Sequence, residues 1–425
     1  MEQKWKDVAI APAAILLPAP TVALSAWAVV ACDQYTSQPE YWRSVEEAVG
    51  DQPSTLRITL PEIHLGQSDT RVPAIHKAMK SYLEKGILRE AVSNGFVLTE
   101  RTTDSGSRLG LVAAVDLDSY DFDKGSRSMV RATEGTILSR IPPRLKVREN
   151  APLESPHVLL LLDDIQKTVI EPLHALRYTL APLYDVDLMV SGGHLRGWAV
   201  TEPAHLDGVY AALKALKHKL PEDNPLLMAV GDGNHSLATA KTHWENVKGS
   251  LSTNEAQSHP ARFALVEIEN IHDEALHFHP IHRVVFNAEG DALLKAWAAY
   301  CAERGMALSD VEPVPGGHIF TVLFCGQEKK VAVHHPQSSL PVGTLQKFLD
   351  DYLSCHPEAE IDYIHGDDTV KSLCRQPKTV GFLVPGLDKS ALLPAVRQDG
   401  SLPRKTFSMG EAHEKRYYME CRKIL

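Results

Sequence analysis

The sequence predicts a fold of the α/β or α+β class, with mixed sheets and helices divided among two or three lobes. Short apolar runs alternate with amphipathic helical segments along the chain, the pattern of sheets covered by helices. Its 425 residues, 44% of them hydrophobic, outrun a single core, because single cores stop growing at roughly 250–300 residues. Charged residues at 23% and aromatics at 7% are ordinary for globular proteins, which excludes disordered, collagen-like and coiled-coil chains.

Taken in order, residues 8–32 carry no charge and approach the length of a membrane span, but Pro12, Pro18 and Pro20 fall among them. Each proline removes an amide donor and clashes with the preceding turn, so a spanning helix is not expected. A proline-punctuated loop followed by a buried strand over 26–32 is expected instead, with neither a signal peptide nor an anchor. Residues 40–50 read as a helix stopped by Gly50, 56–60 as a strand, and 72–88 as an amphipathic helix burying Ile75, Met79, Tyr82 and Leu83.

Segments 96–101 and 109–116 flank a polar turn cluster and predict a β-hairpin. The stretch 119–150 lacks periodicity and predicts a long basic loop, carrying Arg127, Arg131, Arg140, Arg144, Lys146 and Arg148. Beyond it come a strand at 157–162, a proline-kinked helix at 164–177, a strand region at 178–190 and a helix at 206–220. A strand at 226–230 then turns through glycines into a helix at 234–247, and 264–268 is again a strand. A helix at 292–304, strands at 318–324 and 329–334, and a helix at 345–354 complete the pattern. The expected division is a main lobe over 1–290, holding the turn Gly231 to Ser236, and a C-terminal α+β lobe over 291–425.

The net charge of −10, with basic residues scattered among 54 acidic ones, argues against nucleic acid and anionic membranes as partners. No helix-turn-helix pattern offsets that charge. Six cysteines without a CxxC pair give neither a zinc ribbon nor a disulfide framework, which suits a reducing, cytoplasmic setting.

The chemistry concentrates at Gly231-Asp232-Gly233-Asn234-His235-Ser236. A strand, a glycine bend and a helix start expose backbone amides to an anion, and the glycines let a ligand approach the backbone. Asp232 can hold a divalent metal or take a proton, while His235 can donate to a phosphoryl oxygen. The absence of a Gly-Lys-Ser/Thr ending separates this turn from a Walker motif. A plain turn with Asn234 as helix cap is the alternative.

Further candidates are Arg131 and Glu134 in Arg131-Ala-Thr-Glu-Gly135, Arg196 in a glycine turn, and His282-Arg283 before a strand; arginine forks suit phosphate. Asp33 follows an apolar run, where a carboxylate can act as base. Cys32 beside it reads as a packed thiol. His272, His277, His279 and His282 lack the HExxH pattern, so no zinc is expected.

Several of these pieces resemble the bacterial and archaeal domain of unknown function 1015 family. They are Ala28-Val-Val-Ala-Cys-Asp-Gln-Tyr-Thr-Ser-Gln-Pro-Glu-Tyr-Trp42, Arg131-Ala-Thr-Glu-Gly135, Ile141-Pro-Pro-Arg144, Gly231-Asp-Gly-Asn-His-Ser236, Pro280-Ile-His-Arg283, Ile364-His-Gly366 and Phe407-Ser-Met-Gly-Glu-Ala-His413. That family in turn is similar to the ParB and sulfiredoxin group, which includes a nucleotide-dependent free-serine kinase. The resemblance implies a ParB/sulfiredoxin-like core with large insertions. In the kinase the turn reads Asp-Gly-His-His-Arg; Asp232 matches its Asp and His235 its second His, while Asn234 and Ser236 replace the first His and the Arg.

The resemblance and the residues together lead to phosphoryl transfer on a small metabolite, either a free-serine kinase or a phosphoserine-linked phosphotransferase. Serine, phosphoserine or a nucleotide is the expected partner, with Mg²⁺ and ATP or ADP as cofactors. Asp33, Asp232 and His235 are the expected catalytic residues, Asp232 also serving the metal. Arg131, Glu134, Arg196, Gly231, Gly233, Asn234, Ser236, His282 and Arg283 are the expected phosphate or nucleotide contacts. A phosphoserine hydrolase and a non-catalytic nucleotide-binding regulator of the ParB type are the alternatives.

Overall fold

A computed structural model describes residues 3–310 and 315–425. The chain divides into two compact units: residues 1–277 with 410–425, and residues 278–409. The sequence-based boundary at 290 therefore moves to 277, and the last residues leave the C-terminal lobe for the first unit. The polar run after Met409 hides this return, because nothing local in it signals a change of unit.

The first unit is built on a mixed sheet. From one edge its strands run Tyr120–Asp121, Val130–Ala132, Met228–Asp232, Leu159–Leu162, Phe263–Asn270, Gly106–Asp116, Leu88–Thr103, His194–Val200 and Ala181–Asp187. Ile10–Ala11 and Ala13–Pro18 pair beside this path. The expected hairpin is its antiparallel centre, Leu88–Thr103 against Gly106–Asp116. Met228–Asp232 lies parallel to Val130–Ala132 and antiparallel to Leu159–Leu162. Two cores cover the sheet, one including Trp27, Trp42 and Tyr417, the other Trp5, Phe96 and Trp244.

Several local readings change. Residues 28–31 are buried but form only an isolated bridge, Val30 to Tyr417, after the short helix Leu24–Trp27, and Cys32 already belongs to a turn. The basic stretch is no simple loop: it contains Val130–Ala132 and the helix Ile141–Arg148, with Pro142 and Pro143 in its first turn. Proline is welcome there because those amides have no intrahelical partner. Residues 55–57 are a 3₁₀ turn where a strand was expected. Of the helix expected over 164–177 only Glu171–Ala175 forms, because the Asp164 carboxylate accepts from the Thr168 and Val169 amides and makes a turn.

The second unit holds a sheet ordered Ala307–Ser309, Gln327–His334, His318–Phe324, Thr379–Leu383, Phe278–Phe286 and Glu360–His365, with Phe407–Met409 also on Phe278–Phe286. Trp297, Phe320, Phe348 and Phe382 pack at its centre. The protein is thus a mixed α/β protein. Among the described residues no helix is long and apolar enough to cross a membrane.

Candidate functional site

The glycine turn forms as its sequence dictates. Met228–Asp232 ends in Gly233, which has φ +81° and opens the helix Asn234–Lys248. A Cβ at Gly233 would stand 3.0 Å from Val158 Cα, so both the left-handed backbone and the crowding require glycine. Antiparallel pairing sets Asp232 beside Leu159, and this brings His157 and Val158 to the turn.

A neighbouring loop ties this turn down. Asn234 Oδ1 accepts from the Thr133 amide at 3.3 Å, and Thr133 Oγ1 donates to Val230 O at 2.6 Å. His235 Nε2 accepts from the Ile137 amide at 3.3 Å. Asn234 is therefore not the helix cap but its first residue, braced against the Thr133 loop that also carries half-buried Glu134.

Asp33 reaches the same place from the opposite end of the sequence. The segment 28–32 is gripped by residues 416–418: Ala31 N donates to Arg416 O, and Tyr418 N to Val29 O. This sets Asp33 and Lys415 at one end of the ladder. His157 Nε2 lies 3.4 Å from Asp33 Oδ2 and 3.5 Å from Ser236 Oγ, while Lys415 Nζ lies 3.4 Å from Asp232 Oδ2. Asp232 Oδ1 accepts from the Gly233 amide at 2.9 Å.

Hydrogen bonds engage both nitrogens of the His157 ring. Tyr418 OH accepts from the Cys32 amide at 3.1 Å and sits 2.8 Å from His157 Nδ1. Nε2 faces the Asp33 carboxylate.

The charges shift one another. Burial works against the Asp33 carboxylate, but the charge and hydrogen bond of His157, the Gln34 amide and the Lys415 charge outweigh it, holding Asp33 well below the usual carboxylate range. Burial alone would lower His157; the charge and hydrogen bond of Asp33 and the charge of Asp232 raise it above its ordinary value, against the opposing Arg416. Two carboxylates thus face one histidine.

A buried ion network holds the 410–425 return in place. Arg416 bonds Glu267 and Glu420, and Glu267 also accepts from Thr99 Oγ1 at 2.5 Å. Arg422 Nε donates to Glu154 at 2.8 Å, and Arg148 pairs with the same carboxylate at 2.7 Å. Breaking a buried pair costs about 3–5 kcal/mol.

The structure brings Asp33, Asp232, Gly233, Asn234, His235 and Ser236 together, next to Gly231 in the strand. Arg131 and Arg196 lie elsewhere in the first unit. Arg131 turns toward Ser128 O and Asn224 Oδ1, before the start of Met228–Asp232, whereas the site lies at that strand's end. Arg196 is five strands away along the sheet, beside Glu100 and Asp185. His282 and Arg283 belong to the second unit; Arg283 is fully buried and donates to Gln346, Ile281 O and Arg404 O.

The sequence reading did not single out His157, Lys415 or Tyr418 as site residues, and it named Arg144, whose positive field reaches Cys32 and Asp33, only within the basic stretch and a family motif. The signals were faint: a histidine at the mouth of the Leu159–Leu162 strand, and a Lys-Arg-Tyr-Tyr run after the Gly410 turn. Among the described residues no group of three His, Cys, Asp or Glu side chains is arranged to hold a metal.

Fold and site together define a mixed α/β protein with a glycine turn flanked by two carboxylates. The chain matches the family described as Protein of unknown function (DUF1015) over residues 10–352, and it belongs to that family. No curated protein matches it. Among solved structures, a conserved hypothetical protein from Pyrococcus furiosus is 12% identical with a TM-score of 0.35, covering 70% of this chain and 90% of that one. A free serine kinase variant in complex with AMP is 11% identical with a TM-score of 0.40, covering 74% and 92%. SbnI with a C-terminal truncation, from Staphylococcus aureus, is 10% identical with a TM-score of 0.36, covering 70% and 82%.

Proposed function

We propose that this protein transfers a phosphoryl group to or from a small hydroxyl-bearing metabolite in the cytoplasm, with ATP or ADP as nucleotide partner. Free serine and phosphoserine are the first substrates to test. The observation that carries this reading is the meeting of Asp33, Asp232, His157 and Lys415 at the amides of the Gly233 bend.

In this reading Asp33, kept ionised by His157 and Lys415, takes the proton of the acceptor hydroxyl as its oxygen bonds to phosphorus. The bond from phosphorus to the donor oxygen breaks, and that oxygen leaves on the donor. Lys415, protonated His157 and the helix amides offset the charge on the transferring group. His235 braces the Thr133 loop from beside them.

Mg²⁺ fits this donor set as an ion carried by the nucleotide. Magnesium takes one or two protein carboxylates and completes its shell with phosphate oxygens and water. Asp232 is the residue to hold it, exchanging the Lys415 contact. When bound, the ion supplies further positive charge to the phosphates.

Phosphorus NMR of the protein with serine, ATP or ADP and Mg²⁺, and in parallel with phosphoserine, tests the reading. Phosphoserine formed from serine identifies a kinase, and free phosphate released from phosphoserine a hydrolase. No turnover with measurable nucleotide affinity would replace the catalytic reading by a binding one.

A further inference from the structure

A cavity of about 140 Å³ opens beside the polar cluster and shares His157, Ser236, Tyr418 and Cys32 with it. Most of its wall is apolar, with Leu60, Met79, Val147 and Ala240 among the lining residues. The charged groups of that wall are matched: Arg144 pairs with Glu62, and Arg148 with Glu154. Burial and the charge of Asp33 push the Cys32 thiol up to about 12, so it faces the space as a neutral group.

A space of this size and character suits a hydrocarbon group. A dry cavity of about 150 Å³ lined by aliphatic and aromatic side chains accepts benzene. The amino-acid part of serine, small and bearing an ammonium and a carboxylate, would fit such a wall poorly, forgoing the gain from removing apolar surface from water. The His157 and Ser236 side chains form a polar part of the same wall, next to the Gly233 bend.

We propose that the cavity is a specificity chamber, and that the substrate is an alcohol or phosphate monoester carrying an apolar group about the size of a phenyl ring. This rests on the phosphoryl-transfer reading of the adjoining cluster and narrows it from serine-like to apolar substrates.

Calorimetric titration of the full chain with phenyl phosphate, phosphoserine and inorganic phosphate tests it. Phenyl phosphate is expected to bind at least about tenfold more tightly than the other two. Ala240→Leu fills the chamber from the helix Asn234–Lys248, and Val147→Phe fills it from the helix Ile141–Arg148, so that one remains if the other fails to fold. Each is expected to abolish the phenyl advantage while leaving inorganic phosphate affinity within about twofold.

Equal affinities for the three ligands, or a phenyl advantage that survives in a folded filled variant, would overturn the chamber. Failure of inorganic phosphate to bind would strike the phosphoryl reading instead. In that case toluene raising the melting temperature of the wild type, but not of Ala240→Leu, would sustain the chamber alone, and no effect of toluene would end it.

Discussion

His157 in the first unit and His282 in the second make similar first contacts. Each is buried, each has an aspartate oxygen at Nε2, and each Nδ1 is hydrogen-bonded, with Tyr418 OH in one case and with the Val384 amide in the other. Yet burial, only partly offset by the hydrogen bond and charge of Asp367 and aided by Arg283 and His365, lowers His282, whereas His157 is raised. The partners explain the split: Asp367 is 58% exposed and shielded by water, while Asp33 is 25% exposed and Asp232 adds a second negative charge. Two enclosed carboxylates raise a buried histidine, whereas a single wet one leaves burial to lower it.

Removing the enclosed carboxylate should break the contrast most severely. Asp33→Asn is expected to lower turnover about a thousandfold with the fold intact, the scale of a lost general base, and to lower the His157 pKa, because burial is then opposed by Asp232 without Asp33. Steady-state kinetics and an NMR titration of the ring check the two halves. Retained turnover in a folded variant would remove Asp33 from the chemistry.

Arg416 opposes protonation of His157 while holding Glu267 and Glu420. Arg416→Met leaves two buried carboxylates unpaired and should cost about 3–5 kcal/mol in urea denaturation. Gly233→Ala should cost about 1–2 kcal/mol, from the left-handed backbone alone, and its methyl would crowd Val158 beside His157. A smaller loss would mean that the bend relaxes easily and does not hold His157 in register.

The pH response sharpens the comparison further. A histidine raised in the fold contributes stability that is fully present below its unfolded value, near 6.5, and is lost as pH rises through the higher folded value. Inorganic phosphate affinity should fall in that same rising window, by up to roughly tenfold per pH unit, and His157→Gln should flatten it. A lowered histidine works in reverse: as pH falls through about 6.5 the unfolded chain takes its proton first and the fold loses stability. His282→Gln should lessen that acid loss and leave the phosphate profile unchanged, the smallest effect of the set.

The glycine bend was legible because all its determinants are local: a strand, two glycines and a helix start lie within about twenty residues. His157 was not, because its role depends on a strand pairing to Asp232 and on Tyr418, 261 residues away. Lys415 and Tyr418 follow an entire second unit, and no local pattern announces which earlier segment they rejoin. The stretch 119–150 lacks periodicity and so read as a loop, which concealed the helix carrying Arg144, although Pro142 and Pro143 suit a helix start. Arg131 and Arg283 had the right chemistry for phosphate, but each is turned to acceptors that local composition does not reveal.

The return of residues 410–425 bears on how this protein comes into being. On the ribosome, a growing chain acquires Asp33, His157 and Asp232 early but stays without Lys415 and Tyr418 until the whole intervening body has been synthesised. A copy abandoned shortly before residue 415 would therefore carry the Gly233 bend without the Lys415 and Tyr418 contacts.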